Sequence, residues 1–332
     1  ESVITSYFPS QVASDAEKMS MDYGTTVGRA IESEWFNNTN GGSSSRFQSN
    51  QVTFHNLRLY ARGEQPIQKY KDELSINGDL SYLNLDWKPV PIIPKFVDIV
   101  VNGISDRLFD IRAYSQDPYG VDKRTRYMES LIRDMQTKEL NYDLIKRRCN
   151  YDLTTIGIGA VKNVFTKAEG AKVEYVDPVN LVWSYTDSPY FDDIYYVGEV
   201  RSVHLNELKK EFPGLSNDEL KDIAGQSVSN NGFYNRSISN VNKDDSNTVQ
   251  VLYFNYKTFT NEVYKVKETA TGAAKLIPKD DQFNPPPELY EEYGIEKLSQ
   301  SLEVLYEGVK IVGGRMLKWE LAKNMIRPKS DY

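Results

Sequence analysis

The amino-acid sequence predicts an α+β protein, on three observations. Apolar residues recur at helical spacing in several separate stretches. A block in the middle of the chain alternates like strands between turn residues. One long apolar seam then runs toward the C-terminus.

Ser14-Asp15-Ala16-Glu17 is a capping box, and Met19, Tyr23, Val27 and Ile31 follow it as one stripe at i+4 spacing, so an N-terminal helical arm should end near Trp35. Asn37 to Ser45 is too polar and glycine-rich to pack and reads as a flexible linker. A second helical region covers about Phe47 to Arg62, with Gly63 fitting the residue just past a helix end and Pro66 a first helical position. A third begins at Pro94, where Val97, Val101, Ile104 and Leu108 step along one face, and Phe109 to Ser115 then alternates like a strand. Lys123 to Asp152 is again helical, with Met128, Ile132, Met135, Tyr142, Ile145 and Cys149 on one side.

Four strands are expected next, over Gly159–Phe165, Ala171–Val176, Leu181–Tyr185 and Ile194–Arg201, followed by a helix from His204 to Phe212 capped by Ser202. Gly225 to Asn247 is rich in Ser, Asn and Gly and is expected to be mobile. Val249–Tyr256 and Val263–Lys267 alternate as a hairpin turning at Thr258-Phe259-Thr260-Asn261, and Pro285-Pro286-Pro287 is a stiff spacer. Finally Ile295, Leu298, Leu302, Leu305, Val309, Val312, Met316 and Trp319 keep a 3-4 spacing without a break, the pattern of a long helix with one apolar seam. Gly313-Gly314 would cost that helix about 1 kcal/mol per glycine, which implies a kink or a close backbone approach there. Leu305, Val309, Val312, Met316 and Trp319 are the candidate oligomer-interface residues, the seam serving either packing within one chain or a contact between subunits.

At 332 residues the chain is long enough for about two domains with sizeable cores. A net charge of −7 with a pI near 5.2 argues against a protein that reads DNA sequence, which needs a basic face. It leaves room for DNA as a passenger, since an acidic wall repels phosphates. The 23 tyrosines suit surfaces that meet other chains. A single cysteine, Cys149, excludes an intramolecular disulfide and suits assembly in a reducing cytoplasm. No apolar run reaches the ~18 residues that would span a membrane, and no signal-peptide pattern opens the chain. The chain starts at Glu1 rather than Met and stops at Tyr332 straight after an apolar seam, so a fragment of a longer protein is expected.

Catalytic equipment is sparse. His55 and His204 lack a metal-like partner at i+3 or i+4, and Gly157-Ile158-Gly159 lacks the third glycine and the helix of a dinucleotide loop. No G-x-S-x-G elbow occurs, and Cys149 has no histidine near it. Asp177, Asp192 and Asp193 could together hold magnesium in a nucleic-acid or nucleotide enzyme, although a turn between strands beside Pro189 explains Asp192-Asp193 without a metal. Lys146-Arg147-Arg148 reads as the solvated face of its helix, with a DNA-facing role as the minority alternative.

Two groups of residues carry a resemblance that covers nearly all of the chain beyond Ser45. The first is the Tyr-x-x-Gly-x-Gln-Pro helix end of Tyr60, Gly63, Gln65 and Pro66, followed by Pro94-Lys95 and Asn102. The second is Val176-Asp177-Pro178 leading to a strand, the acidic Asp192-Asp193 turn, Tyr195-Tyr196 and the Leu205-Asn206-Glu207-Leu208 helix. In this order the chain resembles the portal proteins of tailed double-stranded DNA bacteriophages, most closely those of crAss-like phages.

The resemblance implies a wing of helices and mixed strands over residues 46–224, after the arm and linker of 1–45. It implies a small β-containing clip over 225–294 and a stem or stem-to-wing helix over 295–332, with the crown and much of the tunnel wall beyond Tyr332. It further implies a homo-oligomeric ring, usually of twelve copies, at one capsid vertex of the virion, assembled in the host bacterial cytoplasm. Double-stranded DNA would pass through the channel non-specifically during packaging and ejection. The partners would be the major capsid protein, the terminase motor and tail or head-tail adaptor proteins, with no membrane, no cofactor and no catalytic residue. A non-channel structural scaffold built on the same helices is the other non-enzymatic alternative.

Overall fold

The computed structural model describes residues 8–10, 13–37, 45–64, 90–105, 112, 122–134, 142–166, 170–223, 248–268, 274–280, 283–286 and 295–322. The expected strand over Phe109–Ser115 and the expected mobile segment Gly225–Asn247 lie outside the described residues, apart from Arg112. The chain is of the α+β class and forms two compact units, one from residues 1–48 with 180–331 and the other from residues 49–179. The sequence-based boundaries run differently: residues 180–223, assigned above to the wing, belong to one unit with the N-terminal arm and the C-terminal strands.

The first unit is built on an antiparallel sheet in the order β3 (Leu181–Trp183), β4 (Tyr196–His204), β5 (Thr248–Glu268), β7 (Ile295–Ile311), β8 (Met316–Leu321). β6 (Ala274–Lys279) pairs with the far half of β5. Two expectations are corrected here. Residues 248–268 form one continuous strand rather than a hairpin, because Thr258-Phe259-Thr260-Asn261 contains no residue that forces a turn and pairs without interruption with 301–304. The expected stem helix from Ile295 is two strands, β7 and β8, with Gly313 at φ 71° in the turn between them.

The reason is burial on both sides of the sheet. A 3-4 spacing alternates between odd and even positions, so on a strand it sends Leu305 and Val309 to one face and Val312 and Met316 to the other. Both faces are covered here. Val309 and Ile311 pack with Val203, Leu208, Val249 and Val251 on one side, and Tyr306, Val312, Met316 and Trp319 pack with Val182, Leu252 and Phe254 on the other. A strand buried on both faces loses the period-2 signal that would have identified it.

Helix α1 (Asp15–Lys18) opens with Ser14 as N-cap, as the capping box predicts, but the arm restarts at a second cap, Ser20, before α2 (Met21–Phe36). Tyr23, Val27, Ile31 and Trp35 bury against the even face of the sheet, while Met19 of the expected stripe stays 59% exposed in the break between the helices. Gly24 and Gly28 let α2 sit close: a side chain at Gly24 would enter the Trp319 ring, and one at Gly28 would enter the Lys310 stem. On the odd face lies the helix Leu205–Glu211, whose Leu208 is fully buried. Its cap is His204, whose Nδ1 accepts from Asn206 N at 3.3 Å; Ser202 lies within β4.

Phe254 occupies the centre of the even face. It stands in register with Gly198 on one neighbouring strand and Gly308 on the other; its ring covers the space Gly308 leaves, and its Cβ lies against Gly198.

The second unit holds most of α3 (Arg46–Ala61), then α4 (Ile92–Ser105), α5 (Asp122–Asp134), α6 (Tyr142–Thr155) and the two-stranded sheet β1 (Ala160–Thr166) with β2 (Gly170–Val176). Val97 and Val101 of α4 are buried with Ala61, whereas Ile104 is 46% exposed.

Gly308→Ala places a methyl group in the Phe254 ring and should cost about 1–3 kcal/mol. The change is read as a lowered urea midpoint at constant slope, and a G308A/F254L pair should recover part of it. An unchanged midpoint in G308A would refute the register in the centre of the sheet.

Candidate functional site

The sequence-level candidates fall into three places. Leu305, Val309, Val312, Met316 and Trp319 are all buried within one chain, none more than 9% exposed. Trp319 lies parallel to Tyr306 at 4.9 Å between ring centroids, and its Nε1–H donates to the Lys18 carbonyl at 2.8 Å. A contact between subunits needs atoms that a partner can reach, so of the two alternatives these residues serve packing within one chain.

Asp177 belongs to the second unit, at the end of β2, and its carboxylate is occupied. Arg58 of α3 donates to it in a two-pronged pair, at 3.1 Å from Nη1 and 2.8 Å from Nη2, and Val179 N–H donates to Oδ1 at 3.0 Å. The same Arg58 Nη2 donates to Asp152 Oδ1 at 2.9 Å and to the Tyr175 hydroxyl at 3.3 Å, and Tyr175 in turn donates to the other Asp152 oxygen. Burial alone would lower the Arg58 pKa, but the hydrogen bonds and charges of Asp177 and Asp152 outweigh it and the net shift is upward. Burial and the bond to Asp152 push the Tyr175 phenol up, so it stays a hydrogen-bond donor at neutral pH. Cys149 is pushed up by burial and by the Asp152 charge, which keeps it a thiol rather than a nucleophilic thiolate.

The basic triplet is absorbed into the same unit. Lys146 donates to the Ser105 carbonyl at 3.2 Å, Arg147 to Asn102 Oδ1 at 3.1 Å, and Arg148 lies 4.0 Å over the Tyr175 ring. These contacts fasten α6 to α4 and to β2, while Arg147 and Arg148 stay exposed, as a solvated helix face requires.

Asp192 and Asp193 lie in the first unit, in the exposed loop between β3 and β4. Asp193 accepts from the Thr186 hydroxyl and, at 2.9 Å, from Asp187 N–H, and these bonds hold its carboxyl below the usual range. Its oxygens therefore brace a turn in which Phe191 adopts φ 57° and Tyr190 is 86% exposed. Among the described residues no group of three or more His, Cys, Asp or Glu side chains is placed to hold a metal ion.

Residues that sequence inspection passed over are Arg58, Asp152 and Tyr175, together with the pair of Lys310 and Glu32. Lys310 is 1% exposed and donates to Glu32 Oε1 at 2.6 Å; burial raises the Glu32 pKa against the opposing influence of Lys310. A lysine among the apolar residues of a buried strand is the one signal that could have marked this pair.

No protein-family model and no curated protein sequence matches this chain.

Arg58→Met strands the Asp152 carboxylate, which is 2% exposed, and should destabilise the protein by about 3–5 kcal/mol in urea denaturation. Adding Asp152→Asn should return part of that loss. A cost below about 1 kcal/mol for Arg58→Met alone would show that the cluster does not hold the second unit together.

Proposed function

We propose that the chain is the subunit of a portal-type ring, a homo-oligomeric channel at one capsid vertex through which double-stranded DNA is packaged and ejected. The observation that supports this is that Gly63, Pro94, Asn102 and Asp177, from the segments carrying the resemblance, come together in the second unit. Asp192-Asp193, Tyr195-Tyr196 and Leu205–Leu208 belong to the first unit, and Gln65 and Pro66 lie outside the described residues. Gly63 ends α3 at φ 80°, with Glu64 N–H bonded to the Leu59 carbonyl at 2.9 Å and Gly63 N–H to the Tyr60 carbonyl at 3.0 Å, the paired bonds of a Schellman ending. Pro94 packs on it, its Cγ lying 3.3 Å from where a Gly63 side chain would begin. Asp177, from a segment more than a hundred residues later, closes on Arg58 one turn before that same helix end. Asn102 is held by Arg147. Four of the residues chosen for their order along the chain thus belong to one folded unit.

The mechanism would be geometric rather than chemical. A ring of subunits at −7 each repels phosphates from its walls and lets a duplex slide. The capsid protein, the terminase motor and tail or adaptor proteins would dock on its outer surfaces, and no residue would serve as a catalyst. No helix among the described residues is long and apolar enough to cross a membrane.

Negative-stain electron microscopy of the purified chain tests this. Closed rings with a central hole, of uniform copy number, are the expected result. Monomers at every concentration, or open filaments and sheets, would overturn it.

A further inference from the structure

The far half of the β5–β7 pair, with β6 alongside, forms a three-stranded ribbon whose faces differ in charge. In-register residues share a face, so one side is a three-by-three grid. Its rows are Lys279–Val263–Ser299, Ile277–Lys265–Lys297 and Lys275–Lys267–Ile295. Five of the nine positions are lysine and none is acidic. Glu262 and Glu296 alternate to the opposite face. Lys267, Lys275, Lys279 and Lys297 are exposed and Lys265 is half-buried. The nearest ion pair on this face is Lys257 with Glu303 at 3.3 Å, nearer the core of the sheet.

Two cross-strand pairs in the grid, Lys265 opposite Lys297 and Lys267 opposite Lys275, set like charges directly against each other. Such pairs destabilise a sheet, and local rules broken without compensation within the fold gather at functional positions. The lysines are about 7 Å apart along a strand and about 4.8 Å apart between strands. The patch covers on the order of 250 Å² by these spacings, well short of the ~800 Å² per partner of a stable protein interface; none of the nine grid positions is aromatic or arginine, and the neighbouring Phe283 ring lies 6.0 Å from the Lys279 ammonium. Dense positive charge on so small an area suits a repeating anion. Lysine alone, a flexible point charge, suits phosphate without reading bases.

We propose that this lysine face binds the phosphate backbone of double-stranded nucleic acid, without sequence preference. The inference does not rest on the ring described above: it concerns one face of one chain, and its test reads duplex binding, whereas the ring is read by microscopy.

The experiment is fluorescence anisotropy of the full chain with a labelled duplex of about 30 base pairs and arbitrary sequence, over about 50–200 mM salt. Five phosphate contacts give a slope of log affinity against log salt near −4.5, or a loss of about 500-fold across that range. The triple variant Lys267→Gln, Lys275→Gln, Lys297→Gln should bring the slope to about −1.8. Lys297→Gln alone should weaken duplex binding while raising the thermal midpoint, because it removes one like-charge pair; a lysine with only a structural role would not move both in these directions. Absence of binding at the lowest salt, or a slope unchanged in the triple variant, would overturn the assignment. So would polyglutamate competing as well as unlabelled duplex. Concentration-dependent self-association in light scattering, lost in the triple variant with no duplex binding in the parent chain, would likewise overturn it and assign the face to a second copy of the chain.

Discussion

The first unit depends on the antiparallel pairing of β5 with β7, which runs in register from Val251 opposite Ile311 to Lys267 opposite Ile295. In its inner half this pair is covered on both faces, by α2 on one and by the helix Leu205–Glu211 on the other. Two-sided burial explains most of the unusual residues nearby. The glycines of α2 let a helix backbone reach the sheet, and Phe254 fills the room left by Gly308 and lies against Gly198. Lys310, fixed to a buried face by the register, is tolerated because Glu32 meets it there. Each arrangement answers the requirement that interiors be packed without voids and without unpaired charge.

In its outer half the same strand pair is covered unevenly, with Val263 and Ile295 buried but Lys267, Lys297 and Leu298 exposed, and its composition changes accordingly. β5 exchanges β4 for β6 as its second neighbour, and exposed lysine and glutamate replace the aromatic residues of the core. One continuous ladder thus supports both a rigid interior and a charged, solvent-facing ribbon. The rigidity of the inner half matters for the outer, since a strand anchored in a packed core fixes the direction in which every later side chain points.

The second unit combines apolar burial with charge. Among its described residues Phe54, Ala61, Val97, Val101 and Val176 are buried, and bonds that fix α3, α4, α6 and β2 to each other run through Arg58, Asp152, Asp177, Asn102 and Arg147. The energetic consequence is asymmetric. Such networks add modest stability when complete and cost heavily when one member is lost, because the remaining charge stays desolvated.

By itself the sequence determined the local signals. The Ser14 cap, the Tyr23–Val27–Ile31 face, the glycine ending of α3, the helix at Pro94 (two residues later than its observed start at Ile92) and the strands around Val176 were all legible, because each depends on residues within one or two turns of one another. The mixed α+β class followed from them. The tertiary structure alone decided the rest. The seam from Ile295 to Trp319 satisfies helical spacing and a doubly buried strand alike, and only cover on both faces selects the strand. The Arg58 network joins residues more than ninety positions apart, and the lysine grid exists only once three strands are in register. Neither leaves a periodic trace in the sequence, because its members share a location in space and not an interval along the chain.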